Sequence, residues 1–135
     1  MVVSTRLGTC RGDGGEVQID KTFSTASSVV FDAVLVAGGD DSAQALQDNG
    51  DAVHFVNEAF KHAKPLAAIG AGLGVLDAAR LPAVERADVS DAATVSDQGV
   101  VTAGVGGDPA DLASRFLEAI AAHRHWDRQT SSVPG

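Results

Sequence analysis

The residues of this 135-residue chain best placed to do chemistry lie in Lys64-Pro65-Leu66-Ala67-Ala68-Ile69-Gly70-Ala71-Gly72-Leu73-Gly74-Val75-Leu76. An apolar strand runs into a tight turn and then a helix. In α/β proteins such a turn lifts one residue above the carboxyl end of the sheet, where a Ser or Cys attacks beside the amides of a helix N-terminus. Here that residue is Gly70, followed by Ala71, so the nucleophile position is vacant. Backbone amides at the same turn suggest phosphate binding. The spacing argues against it, because G-x-G-x-x-G needs glycine where Val75 stands and no acidic ribose ligand follows at the right separation. Glycines serving a tight turn and close helix packing are the simpler expectation.

Other reactive types are scattered. Cys10, the single cysteine, lies in a strand-like segment without a neighbouring histidine, and reads as a partly buried small residue rather than a displaced nucleophile. One thiol excludes an internal disulfide and a cysteine-based zinc site. His123, His125 and Asp127 suggest a metal, but residues two apart on a helix point to different faces, so the two imidazoles could chelate only if the helix has already ended, and no metal site is expected. Trp126 reads as an anchor of the helix end against the domain, with Arg124 and Arg128 solvated or ion-paired. His54 and His62 read as surface or packing residues of a helix. Gly38-Gly39-Asp40-Asp41 follows a strand, and a loop conformation explains it more simply than a ligand does. Arg11-Gly12-Asp13 reads as turn chemistry.

The elements that must position these residues follow from periodicity. Val2 and Val3 open a short strand; Arg11 to Gly15 is turn-rich and Glu16 to Asp20 alternates, giving a hairpin or meander. Ala33 to Ala37 is a continuous apolar run, the form of a central parallel strand. Val53, Val56 and Phe60 repeat at helical spacing between Asp51 and Ala63, with Asn49 or Asp51 as cap and Pro65 beyond the end. Ala92 to Val95 and Val100 to Thr102 flank a turn at Asp97-Gln98-Gly99. The last helix has Asp108 as cap, Pro109 at its first position, Asp111 at the positive dipole end and an apolar stripe of Leu112, Phe116, Leu117 and Ile120. It is expected to reach His123 or His125, with a single domain over 1–128 and a loosely ordered tail over 129–135. This alternation predicts a parallel α/β sandwich.

Composition narrows the partners. The net charge of −8, with no basic run interleaved by aromatics, argues against nucleic acid. No apolar stretch approaches a membrane span and no leader pattern opens the chain, so a cytoplasmic protein without membrane contact is expected.

The order FDAVLVAGG, NGDAVHFVNEAFKHAKPLAAIGAGLGVL, DAATVSDQGVVTAG and GGDPADLASRFLEAIAAH resembles the DJ-1/PfpI branch of the class I glutamine amidotransferase-like folds. More narrowly, NGDAVHFVNEAFKHAKPLAAIG and FLEAIAAHRHWDR resemble the carboxyl-terminal domain of large-subunit haem catalases. The resemblance implies a flavodoxin-like three-layer sandwich with a mainly parallel sheet, truncated at the N-terminus because the first strand-helix unit is missing. That strand would lie between Val2-Val3 and Ala33-Ala37, leaving a gap filled by a longer polypeptide or by strand exchange. The family's nucleophilic cysteine falls on Gly70, its following histidine on Ala71, and its next glycine on Gly72. No residue is therefore assigned as catalytic, metal-binding or cofactor-binding, and Gly38, Gly39, Asp40, Gly70, Ala71 and Gly72 mark a vestigial pocket. The expected role is a non-catalytic accessory domain that stabilises or assembles a parent decomposing hydrogen peroxide, with haem held in a separate domain. Its partners would be the catalase body or neighbouring subunits, in a homo-oligomer. Two alternatives stand beside it: a stand-alone hydrolase or carbonyl-detoxifying enzyme of the PfpI type, and a small-ligand or chaperone-like binding module.

Overall fold

The uncharged run Ala33 to Ala37 and the apolar run before Gly70 form neighbouring parallel strands, and the rest of the main sheet grows from that pair. A computed structural model describes the chain over residues 1–133. At the start of the chain, β1 (Val3–Ser4) pairs in parallel with β4 (Lys21–Thr22), and among the described residues with no other strand. Between them β2 (Gly8–Gly12) and β3 (Gly15–Ile19) make an antiparallel hairpin around Asp13-Gly14, the dipeptide suited to a two-residue turn. The hairpin is exposed except at Ile19, so Cys10 is exposed rather than partly buried as its sequence context suggested.

The main sheet has four strands in the order β5-β6-β8-β7: β5 (Val34–Val36), β6 (Leu66–Ile69), β7 (Thr94–Asp97) and β8 (Val100–Ala103). β5, β6 and β8 run parallel, and β7 returns antiparallel to β8 around Gln98-Gly99. Helices α1 (Asp40–Gln47), α2 (Gly50–Lys61) and α3 (Leu73–Ala78) lie on one side and α4 (Pro109–Ala121) on the other. Val56, Phe60, Leu73, Val75 and Leu76 pack with Val36, Leu66, Ala68 and Val100 on the first face. On the second, Leu112, Phe116 and Ala119 of α4 pack on Ala67, Ile69, Val101 and Ala103. Side chains alternate between faces along a strand, so one sheet carries two cores. The expected three-layer sandwich is the observed one.

The caps are those the sequence marks. Asn49 Oδ1 accepts from Ala52 N at 2.9 Å, and Asp108 Oδ1 accepts from Ala110 N at 2.9 Å with Pro109 following. Helix α1 was not anticipated; its apolar residues are few, with only Ala43 buried.

The end of the chain departs from expectation in three ways. Helix α4 stops at Ala121, and His123 turns to φ +66, which a continuing helix does not allow. Leu117 is 64% exposed, so the residues of α4 packed in the core are Leu112, Phe116 and Ala119 without it, with Ile120 half-buried. Trp126, at 80% exposure, anchors nothing; Arg128 does so instead. Its guanidinium donates to Gln98 O at 2.8 Å and Phe60 O at 3.0 Å, and lies 4.5 Å over the Phe60 ring. A planar cation that satisfies two carbonyls while covering an aromatic face is suited to burial in a way that tryptophan, with one N–H, is not. Within the expected tail, Val133 is buried in the first core. Residues 134–135 of that expected tail lie outside the described residues.

Lys64, just before β6, is the unexpected buried charge at 2% exposure. Its ammonium donates to Ser28 O and Val29 O, each at 2.7 Å, and to Phe31 O. Three carbonyls take its three protons, fixing the turn before β5 to the start of β6. Burial pushes its pKa below the ordinary 10.5, Arg124 pushes it further down, and Asp32 opposes both. Between that lowered value and 10.5 the unfolded chain holds more protons than the folded one, so stability rises with pH through the window. Lys64→Met leaves buried acceptors without donors and is expected to lower stability by about 2 kcal/mol near neutral pH. Urea denaturation checks it: the gap between the two proteins should widen as pH rises toward 10.5, and a constant or shrinking gap contradicts this account.

Candidate functional site

At the carboxyl ends of β5, β6 and β8 the chain supplies glycine repeatedly, and the structure brings several of these residues together. Gly70 leaves β6 at φ +56 and enters a short 3-10 turn, Gly70–Gly72, that leads into α3. The left-handed conformation is the kind a strained nucleophile turn imposes. A side chain would have room: a Cβ on Gly70 would meet Val105 Cγ2 at 3.9 Å, an ordinary contact. Two residues later there is none, because a Cβ on Gly72 would stand 2.9 Å from the carbonyl oxygens of both Val36 and Ala37. Gly72 therefore allows α3 to begin directly against the end of β5. Gly74 faces the Gln47 amide of α1, whose flexible end can give way.

Gly38 closes the same junction, its missing Cβ 3.1 Å from Ile69 O. Gly39 precedes α1, and Asp40 is the exposed first residue of that helix. Gly38, Gly70 and Gly72 thus meet where β5, β6 and α3 converge, and Ala71, half-buried, lies within the turn. The residue missed by sequence reasoning is Val105, after β8, which is 73% exposed and stands beside Gly70. Its signal was the flanking Gly104 and Gly106-Gly107, a glycine cluster at another strand end.

None of these residues lines either of two open cavities. One, about 220 Å³, lies among Leu73, Asp77, Val84, Arg86 and Asp88. The other, about 270 Å³, lies among Phe23, Ser28, Asp51, His54, Phe55 and Glu58. Both fall below the roughly 300–1,000 Å³ of sites that enclose a ligand of drug size.

The scattered reactive residues stay scattered. Cys10 is on the exposed hairpin. His125 lies beyond α4, its Nε2 3.0 Å from Ala119 O, its N–H donating to Ala63 O at 2.8 Å, and its ring covering Gly99. His54, His62 and His123 are exposed. Among the described residues no group of three His, Cys, Asp or Glu side chains is placed to hold a metal, and no helix is long and apolar enough to cross a membrane.

Solved structures with this arrangement define the class. A ThiJ/PfpI domain protein from Brachyspira murdochii superposes with a TM-score of 0.78 at 24% identity, over 90% of this chain and 79% of its own. A two-domain protein from Anabaena variabilis with DJ-1/ThiJ/PfpI-like and ferritin-like domains gives 0.74 at 26% identity, over 99% of this chain and 41% of its own. The fold is that of the DJ-1/ThiJ/PfpI group. Within it, the chain belongs to the family described as the C-terminal domain found in long catalases, whose model matches residues 1–130. Catalase HPII of Mycobacterium avium is 44% identical over 91% of this chain, and Catalase-2 of Bacillus subtilis 35% over 95%. The chain spans 17% and 16% of the lengths of those two relatives.

The turn makes a sharp comparison. Gly70→Cys should fold with a net loss of about 1 kcal/mol or less, its left-handed φ costing about 1–2 kcal/mol against about 0.5–1 kcal/mol recovered in unfolded-chain entropy, whereas Gly72→Ala should lose about 1–3 kcal/mol by forcing α3 away from β5. Denaturant midpoints together with backbone amide shifts at Val36 and Ala37 separate the two effects. Displacement of those signals belongs to Gly72→Ala alone; equal displacement by Gly70→Cys would contradict the open space seen at that position.

Proposed function

We propose that this chain is a non-catalytic accessory domain that stabilises or assembles a parent catalase, with hydrogen peroxide decomposed by haem in another part of that polypeptide. The free edge of β5 carries this reading. Among the described residues no strand pairs with it, although Ala33 to Ala37 has the uninterrupted apolar composition of an interior strand. Leu35 is 54% exposed, and Val29 and Val30 on the turn before β5 are 57% and 70% exposed. An edge of this kind, unblunted by charge or proline, is a seam for more polypeptide. The vacant nucleophile position at Gly70 and the distance in sequence between Cys10 and any strand-end turn support a packing role over turnover. Burial of the seam against the catalase body or a neighbouring subunit would add stability by linkage, in a cytoplasmic homo-oligomer.

The test is a long catalase compared with the same protein lacking the segment equivalent to this chain. Haem content and turnover per haem should remain, while thermal inactivation moves to lower temperature or the assembly state falls. Unchanged inactivation and assembly would remove the reading. So would turnover of dicarbonyl or peptide substrates by this chain that disappears in Cys10→Ala.

A further inference from the structure

We propose that Asn49-Gly50 is a site of spontaneous covalent modification, at which the asparagine deamidates only when the first turn of α2 opens. The two residues carry every group the reaction requires. The Gly50 backbone nitrogen loses its proton to solvent and attacks the carboxamide carbon Cγ of Asn49; a C–N bond forms and the side-chain nitrogen leaves as ammonia, closing a five-membered succinimide. Water then adds to one of the two ring carbonyls and opens the ring, giving either aspartate or isoaspartate, in which the main chain runs through Cβ. No oxidant, reductant or cofactor enters. Glycine on the attacking side makes the pair reactive, since a Cβ there would crowd the nitrogen. The chain has one other asparagine, Asn57, which is followed by Glu58 and is 5% exposed within α2.

The folded geometry withholds the reaction. Asn49 is the N-cap of α2, with Oδ1 accepting from Ala52 N at 2.9 Å and ψ at 109. At that ψ the Gly50 nitrogen stands well away from Cβ across the Cα–C bond, whereas closing the ring needs the two eclipsed. The hydrogen bond that starts the helix therefore also holds Cγ out of reach of its nucleophile. Little else shields the pair: Asn49 is half-buried, Gly50 is exposed, and a Cβ on Gly50 would meet nothing within 4 Å. Opening one turn costs far less than global unfolding and frees both partners. The two products then have different consequences. Aspartate is itself a good cap, and its charge suits the positive end of the helix. Isoaspartate lengthens the main chain by one carbon and takes the cap out of register, at the start of the helix that carries Val56 and Phe60 into the first core. None of this depends on the accessory-domain reading.

Peptide mapping by mass spectrometry reads the site directly, on the 135-residue chain held for weeks at mildly alkaline pH, folded and in urea. Asn49 should acquire the mass gain of deamidation in both states, about tenfold or more slowly when folded, while Asn57 stays unmodified in the folded chain. Ion exchange separates the products, which carry one negative charge beyond the −8 of the chain, and the isoaspartate form should melt below the aspartate form. Gly50→Ala, at a position with open space, should slow the reaction in urea by about tenfold or more. Below the unfolding midpoint the rate should be nearly flat in urea, because opening one turn exposes little surface. An Asn49 that stays intact in urea, or in the folded chain, overturns the proposal. So does a folded rate equal to the unfolded one, or one that climbs in step with the globally unfolded fraction.

Discussion

Strand β6 has a neighbour on each edge and a helical layer on each face, and the other elements are arranged by the need to keep it so. Leu66, Ala67 and Ala68 have no measurable exposure. Every backbone polar group at such a position must find its partner inside the sheet, which fixes β5 on one side and β8 on the other. The small side chains of Ala67 and Ala68 let α4 and the α2-α3 layer approach closely. Lys64 and Gly72 then mark the two ends of the strand, one tying down the turn before β5, the other seating α3 against its end.

Much of this was legible because local chemistry and tertiary need coincided. Asn49, Asp108 and Pro109 mark helix starts that packing does not override, whereas the charge-free run at Ala33 to Ala37, read as a central strand, forms β5 at the edge of the four-stranded sheet with Leu35 exposed. The strand-turn-helix at Gly70 was legible for the same reason: a strand, a glycine and a helix start in sequence leave little else to be built. The glycine at 72 was read as a packing residue, and its contact with two carbonyls is the physical content of that reading.

What sequence did not reveal depends on long-range partners. Trp126 and Arg128 exchange the roles expected of them because the available partners are two carbonyls and the Phe60 ring, a set suited to a guanidinium, and no periodicity discloses it. Leu117 reads as part of the stripe by spacing, yet α4 covers only part of the sheet and leaves that residue outside. Lys64 looks like an exposed helix-end residue until Ser28, Val29 and Phe31 are brought to it from 33 to 36 residues away. Val105 comes beside Gly70 by the same kind of long-range closure.

The left-handed backbone at Gly70 has a bearing on the trade between reactivity and stability. A nucleophile in that conformation costs about 1–2 kcal/mol, while glycine costs about 0.5–1 kcal/mol in unfolded-chain entropy. They offset each other to within about 1 kcal/mol. A turn of this shape can therefore gain or lose its reactive side chain with little change in folding free energy. The folding free energy of this turn sets little constraint on which residue occupies its left-handed position.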